Sequence, residues 1–308
     1  MPAKEMRRNI LILTPSEKSI VTTSLVNFPG AMIFHQNSEE TDINLPENIF
    51  HCDITANNAT FEFYSKMDKT WSFQYENYCH DRSKLSFEVC HQSTHFKALC
   101  PYFPIKVFKL NQRLAVAKEL LEKIPDLKII LEFSDPRMSH SCENKQLADL
   151  CKKRCDDLNE DYNEALALGK KFPGSITVIR EFDFLLQLVE STWALSEFLN
   201  LPLLEAPVNF QVPKNSGLNP PSENSDKRMK REASPEKDGY KDYEEAMASS
   251  ARPLDYRKLV MGIKEGITWA ERLCRDVLAN LGLVLFNGPR NISLPEMLAK
   301  SPIEVWPF

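Results

Sequence analysis

The chain has 308 residues, 43% of them hydrophobic and 26% charged, which is ordinary for a globular protein and enough for one large α/β domain or two small ones. A net charge of −5 provides no global basic field, so nucleic acid is not an expected partner. No stretch reaches the roughly 20 consecutive apolar residues of a membrane-spanning helix, and the early run Ile10-Leu11-Ile12-Leu13 is too short for a signal-peptide core.

Taken in chain order, Asn9 to Leu13 predicts a first buried strand, followed by the polar turn Thr14-Pro15-Ser16-Glu17-Lys18 and a short helix from about Ser19 to Asn27. Only nine glycines occur and the first is Gly30, so any phosphate-binding loop before that point works without glycine. Ala31 to Phe34 predicts a second strand. Residues 37–100 are polar, aromatic and cysteine-containing with weak periodicity, and read as a loop-rich insertion with short helices. Ile105 to Phe108 predicts a strand and Leu114 to Lys123 a helix with one apolar face.

The run Leu127-Lys128-Ile129-Ile130-Leu131-Glu132-Phe133 is too continuously apolar for a half-exposed strand and predicts one buried on both faces. It stops at Ser134-Asp135-Pro136-Arg137, because proline cannot donate to a strand ladder and holds its predecessor extended. Ligands of open α/β sheets bind where such strands end. A long helix is expected over Leu147 to Lys171, carrying Leu150, Leu158, Tyr162, Ala165 and Leu168 on its apolar positions. Then come a strand over Ile176 to Ile179 and an amphipathic helix from Phe184 to Leu199. Alternation of strand and helix implies a mostly parallel sheet flanked by helices, hence the α/β class, as a single domain over residues 1–308. Residues 209–250 lose periodicity and read as a disordered loop, and Tyr256 to Gly282 as a final helix pair.

Eight cysteines form an even set, and two glycosylation sequons occur at Asn58-Ala59-Thr60 and Asn291-Ile292-Ser293, which together favour the secretory pathway. Cys151 and Cys155 share a helix face at i, i+4 spacing. No C-x-x-C or histidine pair supports zinc, so no metal is expected and disulfides, to Cys142 or to cysteines of the insertion, are favoured.

Several stretches resemble, in order, the Golgi carbohydrate sulfotransferases, especially the galactose and N-acetylglucosamine 6-O-sulfotransferase group. The strand ending in Ser134-Asp135-Pro136-Arg137 is similar to that family's R-D-P-R strand. Leu150-Cys151-Lys152-Lys153-Arg154-Cys155-Asp156-Asp157-Leu158 is similar to L-C-x-x-x-C-x-D-L, and Phe172-Pro173-Gly174 with Ile179-Arg180-Glu181-Phe182-Asp183 to F-P-G … V-R-Y-E-D-L. Phe198-Leu199-Asn200-Leu201-Pro202 resembles F-L-G-L-P, and Ser249-Ser250-Ala251 with Tyr256-Arg257-Lys258 resembles S-T-A … K-W-R. The resemblance implies a P-loop-NTPase-like sulfotransferase fold and 3′-phosphoadenosine 5′-phosphosulfate as donor. It further implies a glycan acceptor and residence in the Golgi lumen or elsewhere in the secretory pathway. No G-x-x-x-x-G-K-[ST] loop points to a nucleotide kinase.

The residues implied for the donor are Ser16, Lys18 and Ser19 around the 5′-phosphosulfate, where helix N-terminal amides and a cation would neutralise charge. Arg137 and Ser141 are implied for the 3′-phosphate, with Lys18 and His35 as candidate catalytic groups. Five positions depart from the family pattern. Pro15 falls at the loop arginine, Glu17 at its glycine, Ser134 at the leading arginine of R-D-P-R, Cys142 at the serine eight residues later, with Ser141 one position off, and Gln36 at the glutamate that would serve as base. Replacing a bidentate arginine by serine costs roughly 1.5–3 kcal/mol of charge-assisted bonding, about ten- to a hundredfold in affinity. Two functional expectations follow. One is an active sulfotransferase with a reworked loop; the other is a catalytically inactive relative acting as a glycan- or protein-binding module. In the second, Ser16 or Ser19 simply caps a helix and Arg137 pairs with a carboxylate.

Overall fold

The structure, a computed structural model, describes residues 7–14, 19–26, 28, 30–36, 44–54, 92–138, 142, 145–181, 184, 188–201, 270–283 and 306–307. The chain divides into two compact units, one of residues 1–135, 156–219 and 303–308 and the other of 136–155 and 220–302.

In the first unit β1 (Arg8–Leu13), α1 (Ile20–Val26), β2 (Ala31–Gln36), α2 (Asn44–Phe50), α3 (Ser93–Leu99), β3 (Ile105–Leu110), α4 (Ala117–Lys123) and β4 (Leu127–Phe133) follow in order. The long helix α5 (Ala148–Lys171) begins in the second unit and continues in the first, where β5 (Ile176–Arg180) and α6 (Leu188–Phe198) come next. The second unit also contains α7 (Arg275–Asn280), and β6 (Trp306–Pro307) returns to the first. The strands lie in the order β2-β3-β1-β4-β5-β6. Strands β1 to β5 are all parallel, and β6 pairs antiparallel to β5. This is the mostly parallel, helix-flanked α/β sheet that strand–helix alternation predicts. The order differs from the 3-2-1-4-5-6 of dinucleotide-binding folds and the 2-1-3-4-5 of flavodoxin-like ones.

Central strands of a parallel sheet are covered on both faces, which is why β1 reads as continuous apolar sequence: Ile10, Leu11, Ile12 and Leu13 are all 0% exposed. Side chains alternate between faces. Ile10 and Ile12 join Val107 of β3, Ile130 of β4 and Ile179 of β5 in one core, covered by Val21 and Leu25 of α1 and by Leu195 of α6. Elsewhere Phe34, Phe96 and Phe108 meet at centroid distances of 5.7 and 6.3 Å, and Phe50 lies edge-on to Phe108. A Cys52–Cys100 disulfide joins the segment after α2 to the end of α3. The described parts of the 37–100 insertion thus include the expected short helices, joined to each other by this disulfide and packed on the sheet through Phe50 and Phe96; residues 37–43 and 55–91 lie outside those described.

Differences from the expected elements have local causes. The helix expected from Leu114 opens as a 3-10 turn, Leu114–Val116, before α4. There Asp161 of α5 accepts the Leu114 N–H and the Arg113 guanidinium, at 3.2 and 3.3 Å, and Arg113 also reaches Asp157 and Glu160. Leu150 is a correction. The buried stripe of α5 runs through Cys151, Cys155, Leu158, Tyr162, Ala165 and Leu168, and Leu150, one residue and about 100° off it, is 57% exposed. The end of α6 is a Schellman-type stop in which Asn200 adopts φ 50° and Leu201 N–H reaches Ser196 O at 2.8 Å. Asparagine is the usual second choice after glycine in that left-handed position. Residues 209–250 lie outside those described.

The second unit holds the cysteine pairs of the long helix. Cys142 is bonded to Cys151, and Cys155 to Cys274, just ahead of α7, with the Cys151 and Cys274 sulfurs 3.8 Å apart. All four sulfurs lie within 4.8 Å of one another, but as disulfides they present no thiolate for a metal. The partner of Cys155 thus comes from the C-terminal helices rather than from the insertion. Among the described residues, no helix is long and apolar enough to cross a membrane.

Candidate functional site

Ligand crevices in open α/β sheets form outside the carboxyl ends of adjacent strands whose onward connections leave in opposite directions. Here β1 passes the chain to β2 on one side, and its neighbour β4 passes it to β5 on the other. The crevice expected from this topology is bounded by the ends of β1 and β4 and the start of α1.

An internal carboxylate already occupies it. Glu132, next to last in β4 and 1% exposed, accepts the Ser19 hydroxyl at 2.6 Å on Oε2 and the Ile20 N–H at 3.0 Å on Oε1. Ser19 Oγ in turn accepts the Thr22 N–H at 3.0 Å, making Ser19 the N-cap of α1. The first amide of the helix, Ile20 N–H, thus faces the protein's own carboxyl, and the Thr22 N–H faces the Ser19 hydroxyl. Burial is the main influence on Glu132 and pushes its carboxyl from 4.5 up to about 7. The Ser19 hydrogen bond opposes this, the charge of Glu181 adds to it, and the Ile20 N–H and Lys109 oppose it.

A second carboxylate stands close by. Glu181, which follows β5, accepts the Ser134 hydroxyl at 2.5 Å. Ser134, at the position where the resembled family carries its leading arginine, thus donates to an acid instead of offering a cation. Lys109, 1% exposed near the end of β3, is the buried cation of this sheet edge. Thr14, directly after β1, is 1% exposed, and its N–H donates to Leu110 O at 3.1 Å. Thr22 is 4% exposed, and its Oγ1 lacks a hydrogen-bond partner among the described residues.

Of the residues expected to hold the donor, Ser19 lies in this crevice, with its hydroxyl committed to Glu132. Ser16, Lys18 and Ser141 lie outside the described residues. The backbone of His35 is in register with Lys109, two strands from β1 on the side away from β4, about 10 Å from β1 at the usual strand spacing. Its side chain, like that of Gln36, lies outside the described residues. Arg137 belongs to the second unit, where it is 2% exposed with Nη1 3.7 Å from a carboxylate oxygen of Glu271, itself 9% exposed. The pairing of Arg137 with an acid, weighed from the sequence, is the one present. Asp183, considered as an ion-pair partner of Arg180, lies outside the described residues.

Sequence reasoning gave Glu132 no role, although the signal was there. A lone acid inside a strand buried on both faces must find partners, because an unpaired buried charge is costly.

Fold and site together define an α/β protein with a central parallel sheet that carries a buried, hydrogen-bonded carboxyl at the start of α1. A scan of family models finds no match to the chain, and a search of curated proteins finds none.

Proposed function

We propose that the chain is a divergent carbohydrate-sulfotransferase-like protein with the P-loop-NTPase-like sulfotransferase fold, and that it works as a glycan- or protein-binding module rather than by transferring sulfate. The ordered sequence motifs and the parallel five-strand core support the fold assignment. One observation carries the loss of transfer: the Glu132 carboxylate sits on Ser19 Oγ and Ile20 N–H, where the resemblance would put the donor's 5′-phosphosulfate. A donor phosphate would have to displace that carboxylate and then lie beside it. Lying beside it brings either like-charge repulsion or protonation of Glu132, whose carboxyl is already raised to about 7. Glu181 adds to that repulsion, and the Ser134 hydroxyl is directed to it rather than to a 3′-phosphate. Disulfides in both units support residence in the secretory pathway.

The active reading retains one specific argument. A carboxyl near pH 7 at a strand end suits a general base for a sugar hydroxyl. The near-complete burial of Glu132 and its use as a helix cap weigh against that role. Isothermal titration with adenosine 3′,5′-bisphosphate separates the two. No heat of binding is expected up to millimolar ligand, and micromolar affinity would overturn the binding-module reading.

A further inference from the structure

The opposite, amino-terminal edge of the sheet carries a separate cavity. Arg7 ahead of β1, Asn9 in it, Lys106 in β3, His51 after α2 and Asp126 before β4 contribute to the lining of a cleft of about 310 Å³. That size falls at the lower end of small-molecule pockets. It lies at the far end of β1 from Ser19 and Glu132, since Asn9 to Leu13 alone spans roughly 13 Å at strand rise.

The cleft's charges are unbalanced. Lys106 Nζ donates to Phe50 O at 2.7 Å, which leaves two of its three N–H donors unspent. The Arg7 side chain has no hydrogen-bond or ion-pair partner among the described residues, and the two cations are close enough to repel. Burial first, and then the charge of Arg7, lower Lys106 from 10.5 to about 8. Asp126 is the carboxylate of the lining.

We propose that this cleft binds a small hydroxylated anion of sugar-acid or sugar-phosphate size, with its anionic group held between Arg7 and Lys106 and a hydroxyl donated to Asp126. An anion relieves the repulsion between the two cations, whereas a neutral or cationic ligand leaves it in place. The guanidinium fork and the ammonium accept either carboxylate or phosphate oxygens. The site is independent of the donor crevice and does not rest on the presence or absence of sulfate transfer.

Isothermal titration with glucose 6-phosphate, glucuronate and glucose tests the proposal. At least one of the two anions is expected to bind with sub-millimolar affinity, with no heat from glucose, and the stronger anion identifies the head group. Arg7→Ala and Lys106→Met should each weaken that binding about tenfold or more, the loss of one charge-assisted contact. Arg7 lies at the exposed start of the sheet, so Arg7→Ala is expected to keep the wild-type melting temperature even if Lys106→Met lowers it. Silence from both anions at millimolar concentration, equal binding of glucose, or binding unaffected by Arg7→Ala would each refute the assignment.

Discussion

Replacing Glu132 by glutamine is expected to flatten much of the fall in stability that the wild-type protein shows as pH rises from about 4.5 to about 7. Its folded-state carboxyl is raised from 4.5 to about 7, so across that window the folded protein retains a proton that the unfolded chain has released. Stability from a group raised in this way is fully present below the unfolded value and is lost as pH climbs through the folded one. A shift of this size corresponds to about 3 kcal/mol in all. Asp161, whose carboxyl burial also raises against the pull of Arg113, contributes with the same sign, so the wild-type curve alone is not diagnostic. The difference between wild type and Glu132→Gln isolates the single group. The amide can keep part of the local network, with its oxygen taking the Ile20 N–H and its NH₂ facing the Ser19 hydroxyl, which accepts as well as donates. Denaturant titrations at a series of pH values should show the variant gaining on the wild type by up to about 3 kcal/mol as pH rises. Parallel curves would mean that Glu132 titrates as an ordinary acid.

The second large effect concerns the cysteine cluster. Cys155 and Cys274 are 119 residues apart in sequence, whereas Cys142 and Cys151 are separated by 9. If a disulfide acts mainly by restricting the unfolded chain, removing the long-range bridge costs about 5 kcal/mol and removing the short one about 3. The double variant Cys155→Ala/Cys274→Ala should therefore be the less stable of the two double variants in equilibrium denaturation. Single substitutions would mislead. Cys155→Ala leaves the Cys274 thiol 3.8 Å from Cys151, close to the Cys142–Cys151 bond. As a thiolate it can attack the Cys151 sulfur, form a Cys151–Cys274 bridge and release the Cys142 thiolate. Equal losses for the two double variants would show that the unfolded chain keeps structure between residues 155 and 274.

Much of the fold was legible because burial on both faces leaves a plain imprint. The run from Leu127 to Phe133 matches β4 at both ends, since a continuous apolar stretch followed by Asp135-Pro136 leaves few alternatives. β2 and β3 extend two residues beyond their expected ends, to Gln36 and Leu110, because the last residues of a parallel ladder are held by backbone pairing whatever their polarity. β6 was not legible: two residues, Trp306 and Pro307, reach the sheet edge from far along the chain and carry no periodicity. The partner of Cys155 was hidden for a related reason, since helix spacing relates Cys151 to Cys155 but says nothing of Cys274.

The crevice was half legible. Ser19 as a helix cap, Arg137 paired with an acid and a hydroxyl rather than a cation at position 134 all follow from residue type and position. The missing part was Glu132, because a strand pattern fixes which residues are buried but not which distant hydroxyl and amide will meet them.

The central claim is that a protein carboxylate, not a donor phosphate, occupies the start of α1. Carbon-13 NMR of the Glu132 side-chain carboxyl, titrated with and without millimolar adenosine 3′,5′-bisphosphate, tests it most directly. The account predicts a resonance that titrates near 7 and is indifferent to the ligand. A carboxyl resonance that the bisphosphate shifts or displaces would contradict it.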